Sequence, residues 1–154
     1  MKRSLFLGIG LVIALYQPVP ASALDKGLVI IVNKSNNEKT MTLSDLARIF
    51  KKEKRFWRDR ESIVPIDWEA TSEVRKSFSK YVLGKSVREM REFWVQQSMT
   101  VGLSAPITQK STKAILRFVA NVPGAISYVP ANEVDHSVKT VKVRDWRVSD
   151  LSTR

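Results

Sequence analysis

Five branched aliphatic residues in succession, Leu28-Val29-Ile30-Ile31-Val32, constrain the fold of this chain more than any other segment. A run with no polar face reads as a strand buried on both sides, within a sheet covered by helices. The polar stretch Asn33 to Thr40 ends it, and helical patterns follow. Thr42, with Asp45 three residues on, opens a helix to about Lys51, with Leu43, Leu46, Ala47, Ile49 and Phe50 at helical spacing. Ile63 to Ile66 is a short strand whose Pro65 belongs at an edge or a strand end. Ser72 starts a helix that Gly84 stops after Leu83, and Ser86 with Glu89 forms a capping box for the next, whose inner face is Val87, Met90, Phe93 and Trp94. After an irregular stretch from Ser98 to Lys110, Ser111 caps a helix with Ile115, Phe118 and Val119 inward. That helix breaks at Asn121-Val122-Pro123-Gly124. Ala125 to Val129 and Thr140 to Val143 supply further strands. The alternation predicts an α/β fold with a mixed, mostly parallel sheet flanked by helices.

Residues 1–23 carry the three zones of a secretory leader: basic Lys2 and Arg3, an apolar run from Leu5 to Tyr16, and the small-residue site Ala21-Ser22-Ala23. Cleavage is expected after Ala23. The run is shorter than the ~20 residues of a spanning helix, so residues 24–154 are expected as one domain, free in the periplasm or secreted, with no integral membrane segment. The chain has no cysteine, which excludes thiol catalysis, disulfides and cysteine metal sites.

A formal charge of +11, which falls by two with the leader, makes polyanions the first partners to consider. Export argues against nucleic acid and leaves lipopolysaccharide, anionic lipid head groups and phosphate-rich solutes. The densest basic segment is Lys51, Lys52, Lys54, Arg55, Arg58 and Arg60, interleaved with Phe56 and Trp57 and diluted by Glu53, Asp59 and Glu61. It suits a membrane or single-stranded nucleic acid, or it is a solvated loop. His136 is the only histidine, and the neighbouring Asp135 does not by itself orient it as a general base. Paired carboxylates, phosphate loops and zinc spacings are absent, so no enzyme and no cofactor are expected.

The segments Val29 to Asn33, Leu43 to Phe50, Trp57 with Ile63 to Ile66, and above all Phe118-Val-Ala-Asn-Val-Pro-Gly-Ala-Ile-Ser-Tyr-Val129 resemble the phosphate-binding component of phosphate ABC transporters. These are type II periplasmic solute-binding proteins, and the last segment is similar to their V-x-x-x-P-G-A-I-G-Y-V signature. The resemblance spans Leu28 to Pro130 and implies one of the two lobes of such a receptor. It further implies a site for phosphate or another small oxyanion, used in transport or sensing with an envelope partner.

In the family an R-x-D-G-S-G-T loop holds the oxyanion at a helix start. Here the matching stretch is Trp68 to Val74: Ser72 falls on the family serine, whereas Trp68, Ala70, Glu73 and Val74 depart from the pattern. Thr71, Ser72 and Arg75 are therefore the candidate anion ligands, binding weakly, unless Ser72 only caps the helix and Arg75 is solvated. Trp68 stands where the family has arginine. It either docks a partner protein, in which case the domain serves for interaction without a ligand, or folds back onto the sheet edge.

Overall fold

The computed structural model describes residues 27–146; the leader and its cleavage site lie outside the described residues. The aliphatic run forms strand β1 (Leu28–Val32), of which only Val29 is partly exposed. A two-residue strand β2 (Thr40–Met41) follows and leads into helix α1 (Leu43–Phe50), which Thr42 caps, its Oγ1 accepting from Asp45 N at 3.0 Å; the helix buries Leu46, Ile49 and Phe50. Strand β3 (Val64–Trp68) runs two residues further than the sequence pattern predicts.

Helix α2 (Glu73–Phe78) is shorter than expected, because residues Ser79–Leu83 widen into a π-helical turn that ends at Gly84 in the left-handed region. The capping box of α3 (Val87–Val101) forms as predicted: Ser86 N donates to Glu89 Oε2 at 2.7 Å, and Glu89 N donates to Ser86 Oγ at 3.2 Å. Met90 and Trp94 are its buried residues. The stretch expected to be irregular holds the rest of α3 and a short strand β4 (Ile107–Gln109). Helix α4 (Thr112–Asn121) buries Ile115, Leu116 and Val119, with Phe118 only partly covered. Strand β5 (Ala125–Pro130), a 3-10 turn (Ala131–Glu133) and strand β6 (Lys139–Val143) complete the described chain.

The sheet order is β2-β6-β1-β5-β3-β4. Strand β1 is antiparallel to both β5 and β6, whereas β2 with β6, β3 with β5 and β3 with β4 are parallel. Five strands therefore point one way and β1 alone opposes them. All six residues of β5 are buried, as expected of a strand covered on both faces. On one of those faces the Phe78 and Tyr128 rings stack with centroids 3.6 Å apart, and Phe50 meets both edge-on.

Pro65 lies in an interior strand, not at the sheet edge. It pairs with Ile126 of β5 at a level where β4 has not begun, since β4 joins at Ile66 opposite Ile107. Its missing N–H therefore leaves no partner unsatisfied on that side. Two junction residues fix this same end of the sheet, where β5 begins. Asn33 Nδ2 donates to Val119 O and Ala120 O, both at 2.9 Å, and so satisfies terminal carbonyls of α4. Gly124, at φ 75°, carries a carbonyl that accepts from Trp57 Nε1 at 3.0 Å and from Val64 N at 3.0 Å.

Candidate functional site

Parallel strands in register end together. Trp68 lies opposite Gln109, and both strands pass into turns that open helices: β3 into α2 at Ser72, β4 into α4 at Ser111. The two turns are tied by Glu69 N donating to Gln109 O at 3.1 Å. In an open α/β sheet this carboxyl-end rim is where ligands bind, because the first-turn N–H groups of the helices point out over it.

At the α2 turn, Thr71 is exposed and Ser72 half-buried. Ser72 has the extended backbone of an N-cap (φ −66°, ψ 132°), and its N–H donates to Glu69 O at 3.1 Å. Contrary to expectation, its hydroxyl makes no capping bond. The neighbouring turn is different: Ser111 Oγ accepts from Ala114 N at 3.3 Å, and Thr112 Oγ1 donates to Glu133 Oε2. Glu69 and Glu73 flank the Thr71-Ser72 turn in sequence and bring negative charge toward it.

Arg75 does not join Thr71 and Ser72 as a free cation. Its side chain is 9% exposed and its Nη1 lies against Oδ2 of Asp67, itself 3% exposed. The other carboxylate oxygen, Asp67 Oδ1, accepts from Trp68 N at 2.8 Å and from the Tyr128 hydroxyl. Three elements, β3, α2 and β5, thus meet in one buried polar cluster beneath the rim. Burial lowers the Arg75 pKa from its ordinary value, opposed by its interaction with Tyr128, and burial raises that of Tyr128. The clustered charges fasten the start of α2 to the end of β3.

Trp68 requires a correction. It is 7% exposed, and its indole N–H donates to Tyr128 O at 2.8 Å, so it belongs to the interior and offers no side chain to a docking partner. The reason is register: with β3 extended to residue 68, Trp68 shares a face with Ile66, which is fully buried. Trp57 is likewise buried, whereas Phe56 and His136 are exposed.

Sequence reasoning did not find Asp67 or Tyr128. A carboxylate at the end of an apolar strand, followed by an arginine between Val74 and Phe78 on the inward side of a helix, is the signal that points to Asp67; no local signal points to Tyr128. No cluster of three metal-ligating side chains occurs among the described residues, and no helix among them is long and apolar enough to cross a membrane.

No protein-family model matches the chain. Among solved structures it is similar to an ABC-type phosphate transport receptor from Vibrio cholerae, at 21% identity and TM-score 0.63, over 79% of this chain and 47% of that one. It is similar also to a protein from Clostridium perfringens described as a phosphate ABC transporter substrate-binding protein with bound phosphate, at 25% identity and TM-score 0.63, over 79% of this chain and 46% of that one. A third is PstS from Borrelia burgdorferi, at 16% identity and TM-score 0.59, over 78% of this chain and 48% of that one. The chain thus spans about half the length of the receptors it matches. Its fold is that of the substrate-binding proteins of phosphate transporters, over a stretch consistent with a single lobe.

Proposed function

We propose that this chain is an exported oxyanion-binding module of the phosphate-receptor type, at work in the periplasm in phosphate uptake or sensing together with an envelope protein. The observation that carries this reading is the likeness to a substrate-binding protein with bound phosphate. Two features of the rim agree with it. The Ser72 hydroxyl is not used for capping, and the first-turn N–H groups of α2 follow it directly. In this arrangement Thr71 and Ser72 hold the anion, and Arg75 acts from below by fixing the turn through Asp67. The reading involves no catalytic step, metal or cofactor.

A site built from one side leaves the anion hydrated on the other, and the carboxylates of Glu69 and Glu73 oppose it. The expected dissociation constant for phosphate is about 1 mM or weaker, corresponding to ~4 kcal/mol. Calorimetric titration, together with amide shifts of residues 71–75, measures it. Ser72→Ala should weaken binding several-fold, and micromolar affinity in a monomer would sink the one-sided site.

The commitment of Arg75 to Asp67 favours a second reading, a ligand-free interaction domain of the cell envelope. Amides of Thr71 and Ser72 that do not shift at saturating phosphate select it.

A further inference from the structure

The large apolar side chains most exposed among the described residues are Phe56 (56%), Val95 (56%), Met99 (83%), Val101 (62%) and Ile107 (50%). They fall on two segments, a hairpin at residues 55–63 and the stretch from the second half of α3 to β4. Lys52 Nζ donates to Ala105 O at 3.5 Å and links the turn before the hairpin to the loop before β4.

The hairpin is a built feature. Ile63 N donates to Arg55 O at 2.8 Å, Phe56 bridges Ser62, and Trp57 N donates to Glu61 O at 2.9 Å. Alternation then turns Trp57 inward, where its indole is anchored on Gly124, and Phe56 outward. The second half of α3 stands off the core, since no residue from Val95 to Val101 is buried. On the hairpin segment the charge is basic on balance, Lys51, Lys52, Lys54, Arg55, Arg58 and Arg60 against Glu53, Asp59 and Glu61, whereas beside Val95 and Met99 it is balanced, Arg91 against Glu92. Lys54 pairs with Asp45 at 3.4 Å and Arg58 with Glu38 at 3.4 Å, whereas Arg55 and Arg60 are exposed and make no ion pair among the described residues.

We propose that this face docks onto an anionic lipid surface, with Phe56 and Met99 entering the acyl boundary and Arg55 and Arg60 meeting the head groups. A protruding aromatic side chain beside free arginines suits a bilayer interface, and the exposed apolar end of α3 adds to the apolar surface. Single-stranded nucleic acid fits less well, because it needs a series of aromatic faces and Trp57 is buried. The docking face is separate from the strand-end rim and does not depend on the oxyanion reading.

Co-sedimentation tests it with the chain from Leu24 onward, which contains the whole described domain. It should bind vesicles of phosphatidylglycerol and phosphatidylcholine, release with salt, and ignore vesicles of phosphatidylcholine alone. Phe56→Ser combined with Met99→Ser should lower the partition coefficient about tenfold, and Arg55→Glu combined with Arg60→Glu at least as much, with circular dichroism unchanged in both. Unchanged partition of the Phe56→Ser, Met99→Ser protein overturns the proposal. So does indifference to phosphatidylglycerol, or tighter binding to single-stranded DNA than to the vesicles.

Discussion

Replacing Asp67 by alanine strands two side chains at once and takes an acceptor from the Trp68 N–H. The Arg75 guanidinium is left buried without its carboxylate, and the Tyr128 hydroxyl loses its acceptor in a fully buried position. Removing one member of a buried ion pair costs about 3–5 kcal/mol, and an orphaned buried hydroxyl adds about 1–3 kcal/mol. Asp67→Ala should therefore cost about 5 kcal/mol, a large part of the roughly 5–15 kcal/mol a domain of this kind possesses. At ~3–5 °C per kcal/mol for a chain of this length, the melting temperature falls by ~15–25 °C. Arg75→Met should cost less, about 3 kcal/mol, because the carboxylate keeps the Tyr128 hydroxyl and the Trp68 N–H as donors. Converting Asp67 to Leu, Arg75 to Met and Tyr128 to Phe together removes every buried charge and should recover most of the loss. Urea and thermal unfolding followed by circular dichroism, analysed as a mutant cycle, gives all these quantities. A loss below about 1 kcal/mol for Asp67→Ala would show that water reaches the pair in solution, and that it does not fasten α2 to β3.

Trp68→Ala should destabilise the fold by about 3–5 kcal/mol in chemical denaturation, as for an interior tryptophan; a stable variant with weakened partner capture would return this residue to the surface. Gly124→Ala places a Cβ 2.1 Å from Ser62 O at a φ of 75°, and should cost ~2 kcal/mol or more by the same measurement. Burial raises the Tyr128 pKa above its ordinary 10.0, so the folded state keeps a proton that the unfolded state releases in alkali. Stability should hold up to about pH 10 and fall as pH rises beyond it, with a flatter profile for Tyr128→Phe in unfolding measured across that range.

Local patterns in the sequence were sufficient for β1, for the caps at Thr42, Ser86 and Ser111, and for the breaks at Gly84 and Gly124, because each depends on residues a few positions apart. The short strands β2 and β4 lie at the two edges of the sheet and carry little hydrophobic signal: Thr40, Ile107 and Thr108 are exposed. Direction was equally hidden, since nothing in Leu28–Val32 states that it opposes its neighbours. The family likeness placed Ser72 at the start of α2, but Arg75 could not be judged without Asp67 and Tyr128, which the sheet brings to it from another strand and from 53 residues downstream. A strand that stops at Ile66 leaves Trp68 in a loop, whereas two more residues of extended backbone put it inside.

The reversed direction of β1 also bears on the order in which the chain can fold. Its register partners, Leu28 with Pro130 and Val32 with Lys139, lie about a hundred residues downstream, so the most apolar strand emerges early and pairs late. Until β5 and β6 have appeared, Leu28–Val32 remains a bare aliphatic strand with both edges open. Such a segment is prone to self-association while it waits. Chain fragments ending before Ala125 should therefore aggregate, and a holding chaperone would have its natural target at the amino-terminal end of the domain.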